Sequence, residues 1–350
     1  MEGTMLAQRL YTDTMTMKIE EVPIPKPGIG QVLIKVAYCG ICHSDLSLLD
    51  GNFPPQQKVI TQGHECSGEI VELGPGVNGW QVGDRVIPVS GRPCMVCRQC
   101  RRGNFADCQN LQLMAFAYDG AWAQYTVADA AGMTRVPEHV PMDQAAILAD
   151  AVATPFSAVK DSGKVSLGNA VAVWGLGGVG THIVQLAKLA GALPVIAIDI
   201  RDSVLERAKE LGADYAFRSD DPDLIKKIEE ATNGRMIDVA FDAVGLQSTF
   251  KQAVASLDYR GRAVLVGLSA QDLNAGPILK FGLQRNQIIG HLGYKPVDIF
   301  LLAELLKAGR LDLSRSVSGI VPLREIERGI EMTKTKEGDP IRILVDPWAD

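Results

Sequence analysis

Apolar and polar residues alternate in two different rhythms along the chain. Up to about Met133 the apolar segments are short, at 32–37, 68–73, 85–89 and 123–127, with Gly/Pro clusters at 23–30 and 74–79 between them. Short runs bounded by turn formers predict an irregular, mostly antiparallel β domain. From Asn169 the rhythm becomes strand then helix. Apolar runs at 170–174, 194–198, 237–241 and 262–266 alternate with helical periods at 179–190, 203–211, 223–232 and 246–257. Such alternation predicts a parallel sheet flanked by helices. Beyond about Lys295 a helical segment at 297–308 gives way to a strand-like run at 341–345.

Length and charge narrow the picture. A chain of 350 residues exceeds what one hydrophobic core usually serves, so two domains are expected. A hydrophobic fraction of 47% with 35 glycines suits a globular α/β protein with many tight turns, and the net charge of -6 offers no attraction to nucleic acid. No basic segment leads into an apolar core at the N-terminus, and no apolar run reaches the roughly 18 residues of a membrane span. A cytoplasmic protein is expected, and in that reducing compartment its seven cysteines serve as ligands or spectators before disulfides.

The α/β half opens on Gly175-Leu176-Gly177-Gly178-Val179-Gly180, directly after an apolar strand and directly before a helix. The first glycine permits a tight turn, Gly177 lets backbone approach a pyrophosphate, and Gly180 allows close helix–strand packing. Asp199 ends the next strand, 24 residues after Gly175. There a carboxylate accepts hydrogen bonds from the adenosine ribose and repels a 2'-phosphate, which favours NAD over NADP; Arg201, two residues on, weakens that preference.

Cys94, Cys97, Cys100 and Cys108 follow the pattern Cys-x2-Cys-x2-Cys-x7-Cys within 91–110, a stretch rich in arginine and poor in apolar residues. Two-residue gaps let successive sulfurs face one centre, and a structural zinc would supply the stability the segment lacks. The spacing by itself also admits disulfides or an iron–sulfur cluster. A third constellation comprises Cys39-Gly40-Ile41-Cys42-His43-Ser44-Asp45, then Gly63-His64-Glu65, then Asp150 inside the apolar run 145–153. An aspartate in such a run is costly to bury unless neutralised, and metal coordination is one way to do it. Cys39 and Cys42 also match a CxxC redox pair, without the strand and helix such a pair needs.

Together these motifs, in this order, resemble the zinc-dependent medium-chain alcohol dehydrogenases over essentially the whole chain. The resemblance implies a GroES-like, mostly β catalytic domain from 1–151 and 295–350, carrying the zinc lobe, and a doubly wound Rossmann domain at 152–294. It makes Cys42, His64 and Asp150 the ligands of a catalytic zinc, the last at a position that is cysteine in many relatives. It places Glu65 beside that metal and makes Asp45 the acid that orients His64. His43 and Arg342 match pyrophosphate contacts. Two zinc ions and NAD per chain are implied, with a homodimer or tetramer paired through Rossmann edge strands. The substrate would be a small alcohol, or the aldehyde or ketone it forms.

Hydride transfer from an alcohol needs the hydroxyl ionised, which zinc with an open position promotes. With Cys42 and Asp150 ionised and His64 neutral, the ligands cancel the metal charge, as two cysteines and a histidine do. Ser44 would take the hydroxyl proton. Many relatives carry a relay histidine where this chain has Ser47, so Ser47 itself or a water chain would complete the relay. Phe53, Trp80, Phe116, Trp122, Phe156 and Leu292 are candidate pocket residues that suit a medium-sized apolar or aromatic alcohol over a polyol, although each is more often core than contact. His139 and His182 read as surface or helix residues, His291 as structural or facing the active-site cleft, and Cys39 and Cys66 as buried spectators. Two other classes share features: a zinc-free enoyl or quinone reductase would lack Cys42, His64 and the cysteine lobe, and a non-catalytic zinc and nucleotide binder would not need Ser44.

Overall fold

The computed structural model describes residues 2–51 and 55–350, and the chain divides into two compact units. One runs to Ala153 and resumes at Lys295; the other is Thr154–Tyr294.

The second unit is a six-stranded parallel sheet. Its strands are β1 (Val171–Trp174), β2 (Val195–Asp199), β3 (Tyr215–Arg218), β4 (Ile237–Asp242), β5 (Leu257–Leu265) and β6 (Gln287–Gly290), in spatial order 3-2-1-4-5-6. The order reverses direction beside β1, where a doubly wound sheet binds its ligand. β1 and β2 are buried at every position, because helices cover both faces, so they read as unbroken apolar runs. Trp174, Ile196, Ile198, Ile237 and Phe250 anchor the core under one face. β3, with the sequence YAFR, is half exposed at the sheet edge, and its mixed polarity left no apolar run in the sequence.

The first unit is built around an 11-residue strand, Gln31–Ile41. It pairs antiparallel with Cys66–Leu73, with Tyr125–Asp129 and with Arg342–Asp346 from the far end of the chain. A separate hairpin, Thr4–Tyr11 with Thr16–Pro23, also binds the short strand Val59–Ile60. Trp122, Ile41, Ile343, Val321 and Ile326 fill the core beneath the central strand. Among the described residues no helix is long and apolar enough to cross a membrane.

Two elements of the C-terminal stretch, the strand Val317–Pro322 and the helix Ile326–Thr335, go beyond the elements expected from the sequence, although Ile326 and Ile330 do fall at helical spacing. In the helix, the position facing the strands is Gly329. A Cβ there would come within 2.6 Å of Ile41 Cδ1 and 2.9 Å of Val321 Cγ2, so the missing side chain is what lets this helix seat on the sheet. A glycine-to-alanine change inside an exposed helix stabilises by about 0.5–1 kcal/mol. Here overpacking of about 1–3 kcal/mol opposes it. Gly329→Ala should therefore lower stability, read as an earlier urea midpoint at unchanged slope; a later midpoint would contradict this packing.

Candidate metal centres and nucleotide loop

The sulfurs of Cys94, Cys97, Cys100 and Cys108 all lie within 4.8 Å of one another. Cys97 Sγ is 3.5 Å from Cys100 Sγ and 3.9 Å from Cys108 Sγ. A disulfide would need about 2 Å, whereas thiolates tetrahedral around zinc at about 2.3 Å stand about 3.8 Å apart. The separations suit one ion rather than a multi-iron cluster that spreads its cysteines over several metals. The lobe folds its own amides onto the sulfurs: Cys94 N–H donates to Cys108 Sγ (3.2 Å) and Cys97 N–H to Cys94 Sγ (3.4 Å). The backbone N–H groups of Cys100 and Gln109 bring the Cys97 thiol down to about 6, while burial pushes Cys100 up to about 12. A divalent ion removes that conflict by displacing the protons. Four soft donors and no vacant position fit a structural zinc.

The second cluster joins Cys42, His64 and Asp150, whose donor atoms also fall within 4.8 Å of one another. Each is placed by a different device. Cys42 follows the last residue of the central strand and caps the short helix His43–Leu49, its N–H donating to Asp45 Oδ2 at 2.9 Å. His64 follows Gly63, whose φ of +89° and close approach to Trp122 (2.4 Å from a would-be Cβ) exclude any other residue. Asp150 lies in a π-helical turn, Leu148–Val152, that interrupts the apolar helix and turns its carboxylate out of the run.

Around this trio the charge is lopsided. Asp45 is fully buried with Oδ1 3.4 Å from His64 Nδ1, and Asp150 Oδ2 is 3.5 Å from His64 Nε2. Glu65 is fully buried too; it accepts the Ala151 N–H at Oε1 (3.1 Å), and Gly40 makes room for it, since a Cβ there would meet Glu65 Oε2 at 2.4 Å. Burial pushes the Glu65 carboxyl up to about 8, although Arg342 favours its ionised form. Three carboxylates and a thiol thus face one guanidinium. Burial by itself would lower the His64 imidazole, yet Asp45, Asp150 and Cys42 pull it well above its usual range. The surroundings favour a cation here, and His64 Nδ1, Asp45 Oδ1, Glu65 Oε2 and the Nε and Nη2 of Arg342 are buried in ion-pair contacts without a hydrogen bond. The thiol, imidazole and carboxylate fit zinc with one position left open.

Arg342, matched above to a pyrophosphate contact, is only 5% exposed, and its guanidinium is engaged inside this unit. Nη1 donates to Ile41 O at 3.0 Å, Nε is 3.2 Å from Glu65 Oε2 and Nη2 is 3.6 Å from Asp150 Oδ2. His43 is exposed, with Nδ1 3.4 Å from Lys336 Nζ, a cation that sequence reasoning overlooked. Ser44 Oγ lies 3.5 Å from His64 Nε2, and Ser47 is half-buried one helical turn away.

In the other unit, Gly175 takes φ +85°, and a Cβ on Gly180 would strike Gly175 O at 1.7 Å. The helix Gly178–Leu189 starts with no acidic residue in its first turn, so its N–H groups can receive an anion. Asp199 Oδ2 accepts the Leu176 N–H (2.8 Å), and Oδ1 accepts those of Ile200 (2.8 Å) and Arg201 (3.1 Å), which aims the carboxylate back at the glycine turn. Arg201 Nε stands 3.6 Å away.

The remaining candidates scatter. Phe53 lies outside the described residues. Trp122 is a core residue donating to Gly40 O (3.2 Å), Trp80 lies under the Arg135 guanidinium, Phe156 lies under Lys160, and Leu292 is 79% exposed. Phe116 is the member of this set beside the metal cluster, its ring 5.9 Å from that of His64. His139 is exposed; His182 is on a helix but fully buried, its Nδ1 2.6 Å from Gly178 O. His291 bridges Ser162 Oγ and Thr154 O within its own unit, which is a structural role. Cys39 and Cys66 are fully buried and form no disulfide.

Two family profiles match the chain: an alcohol dehydrogenase GroES-like domain over residues 28–138 and a zinc-binding dehydrogenase over residues 178–308. A sorbitol dehydrogenase of Halalkalibacterium halodurans is 32% identical over 336 residues, covering 94% of this chain and 95% of that one. An NAD-dependent alcohol dehydrogenase of Sulfurisphaera tokodaii is 31% identical, with 97% and 100% covered. Among solved structures, 2R,3R-butanediol dehydrogenase from Bacillus subtilis superposes with a TM-score of 0.89 at 28% identity, covering 98% of this chain and 99% of that one.

The two clusters predict separable losses. Cys97→Ser should drop zinc from two ions per chain to one and lower the unfolding temperature by at least about 5 °C, because a structural ion contributes folding free energy. Asp150→Ala should lose the other ion with that temperature nearly kept. Metal analysis alongside calorimetry checks both, and an Asp150→Ala protein that keeps two ions would point to Glu65 as the ligand.

Proposed function

We propose that this chain, which belongs to the zinc-binding alcohol dehydrogenase family, moves a hydride reversibly between a small alcohol and NAD, giving an aldehyde or ketone. The observation that carries the reading is the Cys42–His64–Asp150 cluster, three donors lodged among buried carboxylates. Its donor set is wasted on a purely structural ion and absent from zinc-free reductases of the same fold. Zinc held by these three residues would supply the Lewis acidity that ionises an alcohol hydroxyl, and bound NAD would supply the hydride acceptor.

The chain's own residues supply the rest. Asp45 holds the His64 ring so that Nε2 points into the cluster, the second-partner role that fixes a ligand histidine's tautomer. Ser44, 3.5 Å from that nitrogen, is placed to take the hydroxyl proton, and Ser47 is the next hydroxyl available to it. The Gly175–Gly180 turn offers its backbone N–H groups to the pyrophosphate. Asp199 receives the adenosine ribose hydroxyls. With Trp80 and Trp122 committed elsewhere in the first unit, little there favours aromatic over polyhydroxy substrates, and the sorbitol and butanediol relatives support including polyols.

A homo-oligomer paired through the Rossmann sheet edge fits two features of the second unit. β6 ends the sheet with a free edge, and the adjoining helix Ile278–Gln284 buries none of its residues, leaving Ile278, Leu279 and Leu283 66–90% exposed. Such a patch is uncommon on a monomer.

Steady-state turnover over a panel of primary, secondary, aromatic and polyhydroxy alcohols, with NAD and NADP, tests the reaction; no turnover with any alcohol in either direction would overturn it. Within that assay, Asp199→Gly should shift the NAD/NADP ratio of kcat/KM toward NADP by about 2–4 kcal/mol, losing charged hydrogen bonds and a repulsion together. A ratio unchanged within error would remove Asp199 from the ribose.

A further inference from the structure

We infer that Arg342 is a positioning residue of the metal centre, a clamp that holds Asp150 in the ligand set and Glu65 out of it. The inference rests on the catalytic-metal reading above and adds to it a residue matched to a different task. Strand pairing puts Arg342 there: Ile343 registers with Ile41, so the residue before Ile343 lies alongside Cys42, the residue after Ile41. Nη1 is fixed to Ile41 O at 3.0 Å, which anchors the guanidinium plane to the strand that delivers Cys42. The other two nitrogens then face two different carboxylates, Nε toward Glu65 Oε2 at 3.2 Å and Nη2 toward Asp150 Oδ2 at 3.6 Å.

The two acids differ in what else restrains them. Glu65 has its other oxygen on the Ala151 N–H, and Arg342 Nε stands 3.2 Å from Oε2 as an ion pair without a hydrogen bond, so each end of that carboxylate has a partner other than the metal. Asp150 sits in a π turn where the backbone hydrogen bonding is irregular, and Arg342 and His64 both approach its Oδ2. A fork with fixed geometry can serve two carboxylates at once; a single ammonium cannot. Electrostatics gives the same division of labour. The ion is balanced by Cys42 and Asp150, and Arg342 balances Glu65, so Glu65 has no need to neutralise the metal. A cysteine in the place of Asp150 would present no carboxylate oxygen to the guanidinium, so the clamp belongs with the carboxylate ligand of this chain.

The test uses the full-length protein with zinc and with cobalt in the second cluster, read by chelator competition and by cobalt d–d absorption, neither of which needs turnover. Arg342→Met should weaken zinc at this cluster about 10- to 100-fold, the usual cost of losing a group that supports a ligand, and leave the four-cysteine site unchanged. Its cobalt bands should weaken and shift as Glu65 joins and the ion becomes five-coordinate. Adding Glu65→Gln to Arg342→Met should restore the four-coordinate spectrum without restoring the affinity, and removes the buried acid that would otherwise hinder folding. Arg342→Lys keeps the charge and the fold, and should still lose affinity because it cannot span both acids. Wild-type affinity and spectrum in Arg342→Lys and in the double variant would overturn the clamp. Asp150→Asn separates the two levels: if it binds both metals as the wild type does, the ligand assignment fails, whereas loss of metal there with an unaffected Arg342→Lys condemns the clamp alone.

Discussion

Buried negative charge that only a cation can balance is the constraint on which the first unit depends. Asp45 and Glu65 are fully inaccessible, Asp150 is mostly covered, and Cys42 adds a thiol, against one guanidinium from Arg342. Burying unpaired carboxylates costs several kcal/mol each, so such an arrangement persists only where the missing charge arrives from outside the polypeptide. The local backbone is organised around it: Gly40 makes room for Glu65, Gly63 allows His64 its approach, and a π turn faces Asp150 inward. The four-cysteine lobe repeats the logic on the surface, where metal takes the place of a core.

The Rossmann unit carries its own constraint, close approach. Gly175 and Gly180 bring strand, turn and helix together so tightly that a single methyl would meet a carbonyl oxygen, and this leaves amides rather than side chains lining the turn. Asp199 is then drawn toward the turn by the Leu176 amide, which ties its carboxylate to the glycine turn. Metal chemistry and nucleotide binding thus come from separate units with separate packing rules.

Where a signal is local, the sequence made it legible. The cysteine spacing, the GLGGVG turn and the alternating strand and helix periods all sit within a few dozen residues, and the parallel sheet follows them closely. Long-range placement was less legible. Arg342 meets Ile41 across 301 residues through a strand pairing that no periodicity encodes, so its place beside Cys42, Glu65 and Asp150 was invisible. The helix Ile326–Thr335 was obscured because Gly329, a helix-weakening residue, is what its packing requires. Trp122 stayed open between pocket and core because size and polarity alone do not distinguish the two.

Zinc K-edge X-ray absorption on the purified, metal-replete protein tests the central claim most directly, because it counts sulfur ligands without depending on turnover. Five thiolates shared between two ions are predicted, four from the lobe and one from Cys42, with nitrogen and oxygen completing the coordination of the second ion. Four sulfurs on a single ion, with no second zinc environment, would contradict the account, since the buried charge around His64 would then be balanced by protons alone.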